Sequence, residues 1–277
     1  MKTFRFIPAF LALLVSGVCP ACAIAQTQPT ASRQPDVIYV PTPQAVVNAM
    51  LKMANVQAGE MVYDLGCGDG RAVITAARDF GARGIGVDID PERIEESLAN
   101  AATAGVSERV QFKQEDLFQM KFSDADVVFL YLLPALNLRL RPRILDELRP
   151  GTRIVSHAFT MGDWEHDEKA EVETRTIFFW RVPAKVAGKW TVTLPGGEEG
   201  LLSLNQKFQK VTGTLKTKDR SYPLEDVRLE GTKLTFKFGR GEQGGEANAD
   251  VSGGKLSGSM LRGSAGRQES WSGRLML

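Results

Sequence analysis

The chain has 277 residues, of which 43% are hydrophobic and 24% charged, and its formal net charge is +1. This composition is ordinary for a globular protein that is long enough for one large domain or two smaller ones. The near-zero net charge excludes a global field that would recruit nucleic acid, so we predict no nucleic-acid partner. Three cysteines are too few for a disulfide framework, and we predict no metal site.

The first 25 residues are typical of a secretory signal peptide. Basic residues precede an apolar stretch over residues 6–18, which is too short to cross a membrane comfortably. Ala23-Ile24-Ala25 gives the small-x-small pattern of a cleavage site. We therefore predict a signal peptide over residues 1–25, a linker over residues 26–38, and an exported (periplasmic or secreted) mature chain without a transmembrane span. An uncleaved membrane anchor is the alternative.

Helical and strand patterns alternate over residues 39–183. Pro91 in a first turn and Gly105 just past an end delimit one helix, and Pro142 is expected to interrupt another. In chain order we predict helix 44–54, strand 61–65, helix 71–80, strand 84–89, helix 91–104, strands 110–113 and 126–131, helix 136–148, and strands 152–158 and 176–182. This alternation favours an α/β domain with a doubly wound, mostly parallel, Rossmann-like sheet.

The pattern changes near Pro183, and residues 184–277 show no helical period. Short alternating apolar runs, about eight of them, are separated there by glycine-rich turns. This predicts a small all-β antiparallel domain, either a barrel or a sandwich. Trp190 and Trp271 are expected in its core rather than on a binding surface.

The strongest motif spans residues 62–70, where an apolar strand enters a glycine-rich turn that precedes a helix. Glycines let the backbone approach a ligand closely, and the helix N-terminus offers free N–H groups. Asp64 suits the ammonium group of S-adenosylmethionine and would repel a pyrophosphate, while Gly-x-Gly-x-Gly differs from the dinucleotide pattern. A purely structural turn is the alternative. The binding candidates are Asp64, Leu65, Gly66, Cys67, Gly68 and Gly70.

Acidic residues also follow the next two predicted strands. Asp88, followed by Ile89, can accept hydrogen bonds from ribose hydroxyls, although it could instead cap the next helix. Asp116 and Leu117 are candidates for the adenine edge, with a plain surface loop as the alternative.

These residues resemble the class I, seven-strand methyltransferases over residues 40–182: residues 64–70 match their first motif, Asp88 the ribose position and Asp116 the adenine position. More narrowly, residues 39–43, 63–71 and 155–157 resemble the small protein-lysine methyltransferases of archaea and mitochondria. The mitochondrial members act on the adenine nucleotide translocase and on a membrane component of the ATP synthase. The resemblance implies S-adenosylmethionine as cofactor and places Thr42 at its methionine end.

The segment that would contact the methyl acceptor departs from one known sequence pattern. Amide and nucleobase methyltransferases carry Asn-Pro-Pro-Tyr where this chain has residues 129–134. Tyr131 and the turn that ends at Pro134 are instead candidates to line a channel for a lysine side chain, with core packing as the alternative for Tyr131. His157 is a candidate proton acceptor or substrate contact, although a satisfied core histidine is the alternative. Four arginines between residues 139 and 149 could dock an acidic partner or a membrane, or simply form a solvated helix face.

We therefore predict an S-adenosylmethionine-dependent methyltransferase that transfers a methyl group to a protein lysine by in-line displacement, with membrane-associated proteins among its substrates. One alternative is a small-molecule or lipid methyltransferase. Another is an exported binding protein in which the cofactor fold is not catalytic and the C-terminal domain carries the function. Export favours the last hypothesis, because S-adenosylmethionine is made in the cytoplasm.

Overall fold

The computed structural model describes Met1, residues 38–263 and residues 267–276. Apart from Met1, the predicted signal peptide lies outside these residues. The predicted linker also lies outside them, apart from Ile38. The described residues from 38 onward belong to one compact unit. Among the helices described, none is long and apolar enough to cross a membrane.

A seven-stranded sheet occupies the first part of the unit, in the order β3-β2-β1-β4-β5-β7-β6. Strands β1 to β5 are parallel, while β7 runs antiparallel to β5 and β6 antiparallel to β7. The strands are β1 (Met61–Leu65), β2 (Arg83–Asp88), β3 (Val110–Gln114), β4 (Val127–Leu130), β5 (Arg153–His157), β6 (Glu168–Val172) and β7 (Arg175–Arg181). The helices are α1 (Gln44–Met53), α2 (Arg71–Phe80), α3 (Pro91–Thr103) and α4 (Pro134–Glu147). The predicted doubly wound, mostly parallel sheet is confirmed.

The sheet is buried on both faces, as its apolar central strands require. Val62, Val127 and Val155 point into one core together with buried residues of α1 and α2. The alternate side chains of the same strands, such as Val128 and Ile154, pack into a second core against α4. Alternation of side chains along each strand thus gives two helix-covered layers.

Two features of this sheet differ from the sequence prediction. Strand β6 was not predicted, because its residues are mostly exposed and it lies at the edge of the sheet, where apolar alternation is not required. Helix α4 is not interrupted, since it runs through Pro142 to Glu147. It packs on the sheet through Leu140 and Ile144, and Arg143 donates to the carbonyls of three residues before β4. These tertiary contacts hold the helix on both sides of the proline.

The C-terminal part is a closed antiparallel barrel of eight strands, so the barrel alternative is confirmed over the sandwich. It closes where β15 pairs with β8, from Ser272 opposite Thr193 to Leu275 opposite Trp190. Its strands are β8 (Gly188–Thr193), β9 (Glu199–Lys207), β10 (Lys210–Lys216), β11 (Ser221–Glu230), β12 (Lys233–Phe238), β13 (Gly245–Ser252), β14 (Lys255–Arg262) and β15 (Gln268–Leu275). The boundary that we predict between residues 183 and 184 stays a prediction.

Large side chains fill the barrel interior. Trp190, Phe236, Phe238 and Trp271 are all buried there, and the Phe236 and Trp271 rings meet edge to face at 5.7 Å. The indole of Trp190 donates to the Val186 carbonyl at 2.9 Å. Both tryptophans therefore belong to the barrel core, as predicted.

Candidate active site

A cavity of about 590 Å³ opens at the carboxyl ends of the parallel strands. Ligands bind at this edge in open α/β sheets, because the loops that follow successive strands converge there. The predicted site residues that line the cavity are Thr42, Asp64, Gly66, Cys67, Asp88, Ile89, Asp116, Leu117 and Tyr131. The motifs that the sequence analysis found separately are thus brought to one place.

The glycine loop after β1 adopts a backbone that other residues would strain. Gly66 and Gly68 have φ of +95° and +53°. A β-carbon at Gly66 would lie 2.9 Å from Leu132, and one at Gly68 would clash with the ring of Tyr39. The absence of side chains at these two positions leaves room for a ligand and for the segment that covers the loop.

Asp64 ends β1 as a buried carboxyl group on the cavity wall. Burial raises its pKa well above the ordinary value, and the nearby carboxylates of Asp88 and Asp69 raise the pKa further. A positive group in the cavity would relieve this repulsion. The residues present therefore fit the ammonium group of a methionine moiety and would disfavour a pyrophosphate.

Asp88 holds the glycine loop in place. Its carboxylate accepts from the backbone N–H of Gly68 at 2.9 Å and of Asp90 at 3.0 Å. Asp90, not Asp88, caps α3, because its side chain accepts from the Glu92 N–H at 2.9 Å. The capping alternative for Asp88 is therefore wrong, and its carboxylate faces the cavity.

The N-terminal segment, residues 38–43, lies across the glycine loop. Arg71 donates to the Thr42 carbonyl at 2.9 Å and pairs with the Asp69 carboxylate. Burial opposes ionisation of Asp69, but the hydrogen bonds and charge of Arg71 outweigh it and lower the pKa of Asp69. The Arg93 guanidinium lies 4.9 Å from the centre of the Tyr39 ring. These contacts attach the segment to the loop.

Aromatic rings form the opposite wall of the cavity. The Tyr131 ring stacks on His157 with centroids 3.9 Å apart and faces Phe159 at 6.3 Å. Nδ1 of His157 lies 3.1 Å from the Thr42 hydroxyl, and its Nε2 is buried without a partner among the described residues. Burial and then the charge of Arg175 lower the pKa of His157 to about 4, so the imidazole is neutral near pH 7.

Other predicted site residues lie outside the lining. Leu65 belongs to the core under α4, and Pro134 forms the first turn of that helix. Gly68, Gly70 and His157 shape the site from behind its wall. Burial raises the pKa of the Cys67 thiol well above its usual value, so this residue is not an activated nucleophile.

Several cavity residues escaped the sequence analysis. Arg93, Leu136 and Phe159 line the cavity but belong to no motif that we used. Arg71 and Leu133 also line it and lie within segments that we used, although neither was singled out as a site residue. The general rule that ligands lie beyond the carboxyl ends of parallel strands could have indicated Phe159, which follows β5 by two residues.

Comparison with known proteins matches residues 64–168 to the ANTKMT methyltransferase domain. A protein-lysine N-methyltransferase of Saccharolobus islandicus is 47% identical over 140 residues, which are 50% of this chain and 87% of that protein. The adenine nucleotide translocase lysine N-methyltransferase of Mus musculus is 32% identical over 130 residues, which are 47% of this chain and 56% of that protein.

The solved structure of an RNA methyltransferase from Salinibacter ruber, in complex with S-adenosyl-L-homocysteine, is 48% identical, with a TM-score of 0.52. The alignment covers 53% of this chain and 96% of that chain. This chain spans little more than half the length of the mouse relative, but nearly the whole length of the Saccharolobus and Salinibacter proteins. With this identity and coverage, the chain belongs to the class I, S-adenosylmethionine-dependent methyltransferases, in the family of the ANTKMT methyltransferase domain.

Proposed function

We propose that the protein transfers a methyl group from S-adenosylmethionine to the side-chain amine of a lysine in a protein substrate. The observation that carries this proposal is the division of the cavity: carboxylates line one half, and the rings of Tyr131 and Phe159 line the other. Relatives named as lysine N-methyltransferases support the same acceptor.

The acidic half would hold the cofactor. Asp64 would pair with the ammonium group of the methionine moiety, Asp88 with the ribose hydroxyls, and Asp116 and Leu117 with the adenine edge. Thr42 would contact the methionine end of the cofactor, because Arg71 attaches the segment of residues 38–43 to the glycine loop. When bound, S-adenosylmethionine supplies a methyl group on a sulfonium that is already an activated leaving group.

The aromatic half would orient the acceptor and exclude water. An apolar wall lowers the pKa of a lysine amine, so that the neutral nucleophile is favoured without a dedicated base. His157 stacks on the Tyr131 ring and is hydrogen-bonded to Thr42, and it therefore holds the Tyr131 ring in place in this wall. The chain's contribution is then mainly positioning, which suits an in-line displacement.

RNA is a second acceptor to consider, because the Salinibacter structure carries the name RNA methyltransferase. This chain lacks the Asn-Pro-Pro-Tyr pattern at residues 129–134 that grips a planar nitrogen, and its net charge is only +1. Phosphate contacts that dominate nucleic-acid affinity need many basic groups. A lysine amine therefore fits the site better.

The deciding experiment incubates the chain with methyl-labelled S-adenosylmethionine and, in parallel, total protein, total RNA and total lipid. We expect label in protein and methyl-lysine after acid hydrolysis, with none from the Asp64→Asn variant. Label in RNA or lipid alone would reassign the acceptor. Cofactor binding without transfer to any pool would favour a non-catalytic binding protein. Separating the labelled proteins into membrane and soluble fractions tests the predicted membrane-associated substrates.

For the compartment, we propose export, supported by the apolar stretch at residues 6–18 and by Ala23-Ile24-Ala25. Fusion of residues 1–30 to a phosphatase that is active only outside the cytoplasm should give activity. The mature protein should begin at Gln26. An inactive fusion would contradict export, and activity with an uncleaved N-terminus would indicate a membrane anchor.

A further inference from the structure

The loop of residues 158–167, here called the acceptor loop, begins at the aromatic wall of the cavity. Ala158 has φ of +65°, and the Phe159 N–H donates to the His157 carbonyl at 2.8 Å. This is a γ-turn of the rare positive-φ form, which is strained for alanine. Such strain persists only where surrounding contacts hold it, and it occurs often at functional sites. Phe159, the next residue, lines the cavity.

The methyltransferase part holds the first half of the acceptor loop. The Ser156 hydroxyl donates to the Phe159 carbonyl at 2.8 Å, and the amide of Asn137 on α4 lies 3.4 Å from the same oxygen. Arg141, also on α4, donates to the Met161 carbonyl at 2.7 Å. At Asp163 Arg141 forms an ion pair. Beyond it the sheet still contacts the loop, because Trp180 donates to the Trp164 carbonyl and the Asp167 N–H donates to the Phe179 carbonyl, both at 2.9 Å.

The barrel adds a second set of contacts to the second half of the loop. Its β9–β10 hairpin, residues 207–210, places the Phe208 ring parallel to Trp164 at 5.9 Å. The Gln209 amide donates to the Glu165 carbonyl at 2.7 Å. Lys207 and Lys210 form ion pairs with the carboxylates of Asp163 and Glu165. The Gln209 amide also lies 3.2 Å from the Asp167 carboxylate, so one hairpin of the barrel contacts four of the last five residues of the acceptor loop.

The barrel interior is filled by its own apolar side chains, so any effect of the barrel on the site has to act through the hairpins at its ends. We propose that the barrel is a positioning domain for the acceptor: the β9–β10 hairpin holds the acceptor loop in the strained conformation that presents Phe159 to the cavity. The effect on catalysis rests on the proposed function, whereas the effect on loop conformation does not. Phe208 is the principal positioning residue, because exposed ion pairs contribute little by themselves.

The test compares three full-length variants. Phe208→Ala removes the ring that stacks on Trp164, and Phe208→Tyr restores an aromatic ring. Tyr222→Ala is the matched control: Tyr222 is also half-buried and meets Phe238 at 5.8 Å, but it lies beside the β10–β11 turn at the other end of the barrel. Both alanine variants remove one half-buried ring from the barrel, but only Phe208→Ala removes a ring that contacts the acceptor loop.

The first measurement is hydrogen exchange of the backbone amides of residues 158–167, which needs neither substrate nor cofactor. We expect Phe208→Ala to speed this exchange at least about tenfold, while Phe208→Tyr and Tyr222→Ala leave it near the wild-type rate. Equal exchange in Phe208→Ala and wild type, with both folded, would overturn the proposal. Equally accelerated exchange in Tyr222→Ala would also overturn it, because the effect would then be general destabilisation.

The second measurement separates the cofactor from the acceptor. We expect Phe208→Ala to bind S-adenosylmethionine within about twofold of wild type, because the carboxylates lie on other loops. The half-saturating concentration of a total protein extract should rise about tenfold, with rescue by Phe208→Tyr. Weakened cofactor binding with an unchanged acceptor requirement would overturn the positioning role. If neither the wild type nor any variant methylates protein, the proposed function fails. Accelerated hydrogen exchange in Phe208→Ala would still establish the structural role of the hairpin.

Discussion

At the scale of single residues, Asp64 shows how a site can be costly to the free protein and useful to the ligand complex. Its carboxyl group is buried near two other carboxylates, and its pKa is raised by burial first and by their charges second. Because the folded protein binds this proton more tightly, the stability of the ligand-free chain falls as the pH rises above the ordinary value of 3.8 towards the raised pKa. A cationic ligand bound beside Asp64 would instead favour the ionised carboxylate.

Asp64→Asn should therefore have opposite effects on binding and stability. We expect S-adenosylmethionine affinity to fall by about 30-fold or more, since removing one partner of a buried charge pair costs about 2–5 kcal/mol. The ligand-free variant should be at least as stable as wild type near pH 7. Titration calorimetry and urea unfolding measure the two effects. The exposed Asp79, changed to Asn, is the control and should alter neither. Unchanged affinity in Asp64→Asn would remove this residue from the site.

His157 gives a second prediction, with the opposite sign. Its pKa of about 4 lies below the ordinary 6.5, so the unfolded chain binds more protons between these values. The contribution of His157 to the free energy of unfolding is complete above pH 6.5 and is lost as the pH falls towards 4. The full shift in the pKa of His157 corresponds to at most about 3.4 kcal/mol of unfolding free energy.

His157→Phe keeps a ring against Tyr131 and removes the titrating group. The difference in unfolding free energy between wild type and variant should therefore shrink as the pH is lowered from 7 to 4.5. Urea unfolding at a series of pH values measures it. His157→Gln cannot titrate either and should show the same trend. A constant difference across this range would contradict a buried, neutral His157.

At the scale of elements, local pattern predicted most of the parallel sheet, because buried strands and amphipathic helices must show apolar spacing. Strand β6 was missed because an edge strand of charged residues carries no such signal. The interruption predicted at Pro142 was wrong because tertiary packing of α4 outweighs a local penalty. Pattern alone reports what a segment prefers, not what its neighbours impose.

The same limit applies to the site. Asp64, Asp88, Asp116 and the glycines could be found from sequence because each sits at a fixed place relative to a strand end. Arg93 could not, since it reaches the cavity from a helix face, and for Phe159 the strand-end rule indicates the loop but not the strained turn that brings the ring to the cavity. Their placement depends on contacts between distant parts of the chain.

Pro142 offers the test at the scale of the helix. Proline inside a helix removes a backbone hydrogen bond and costs about 3 kcal/mol relative to alanine, partly offset by a more restricted unfolded chain. Pro142→Ala should therefore raise the free energy of unfolding by about 1–2 kcal/mol, measured by urea denaturation. Pro134→Ala is the control and should change little, because Pro134 lies in the first turn, where an N–H has no helical partner. No gain at Pro142 would mean that α4 is bent there to suit its packing.

At the scale of the molecule, two folds with separate cores share one chain. The sheet has a core on each face, and the barrel has its own core of aliphatic and aromatic residues. The family match ends at residue 168, before the barrel begins. The cofactor half of the site is thus built without the barrel, whereas the acceptor loop touches it through Phe208. Damage to the barrel should consequently separate cofactor binding from transfer.

Trp190→Ala tests this separation. Trp190 is fully buried, and its replacement by alanine should destabilise the barrel by about 3–5 kcal/mol. We expect calorimetric melting of the variant to show an early transition of the barrel and a later one of the sheet. S-adenosylmethionine should raise only the later transition, because a ligand stabilises the unit that binds it.

Trp180→Ala is the matched change in the other fold, since Trp180 is equally buried in the sheet and donates to the Trp164 carbonyl at 2.9 Å. It should lower the transition that responds to S-adenosylmethionine and leave the barrel transition in place. One cooperative transition in both variants, shifted by the ligand as a whole, would contradict independent cores. The hairpin contact at Phe208 would then join the two folds energetically, and the barrel would support the cofactor site as well as the acceptor loop.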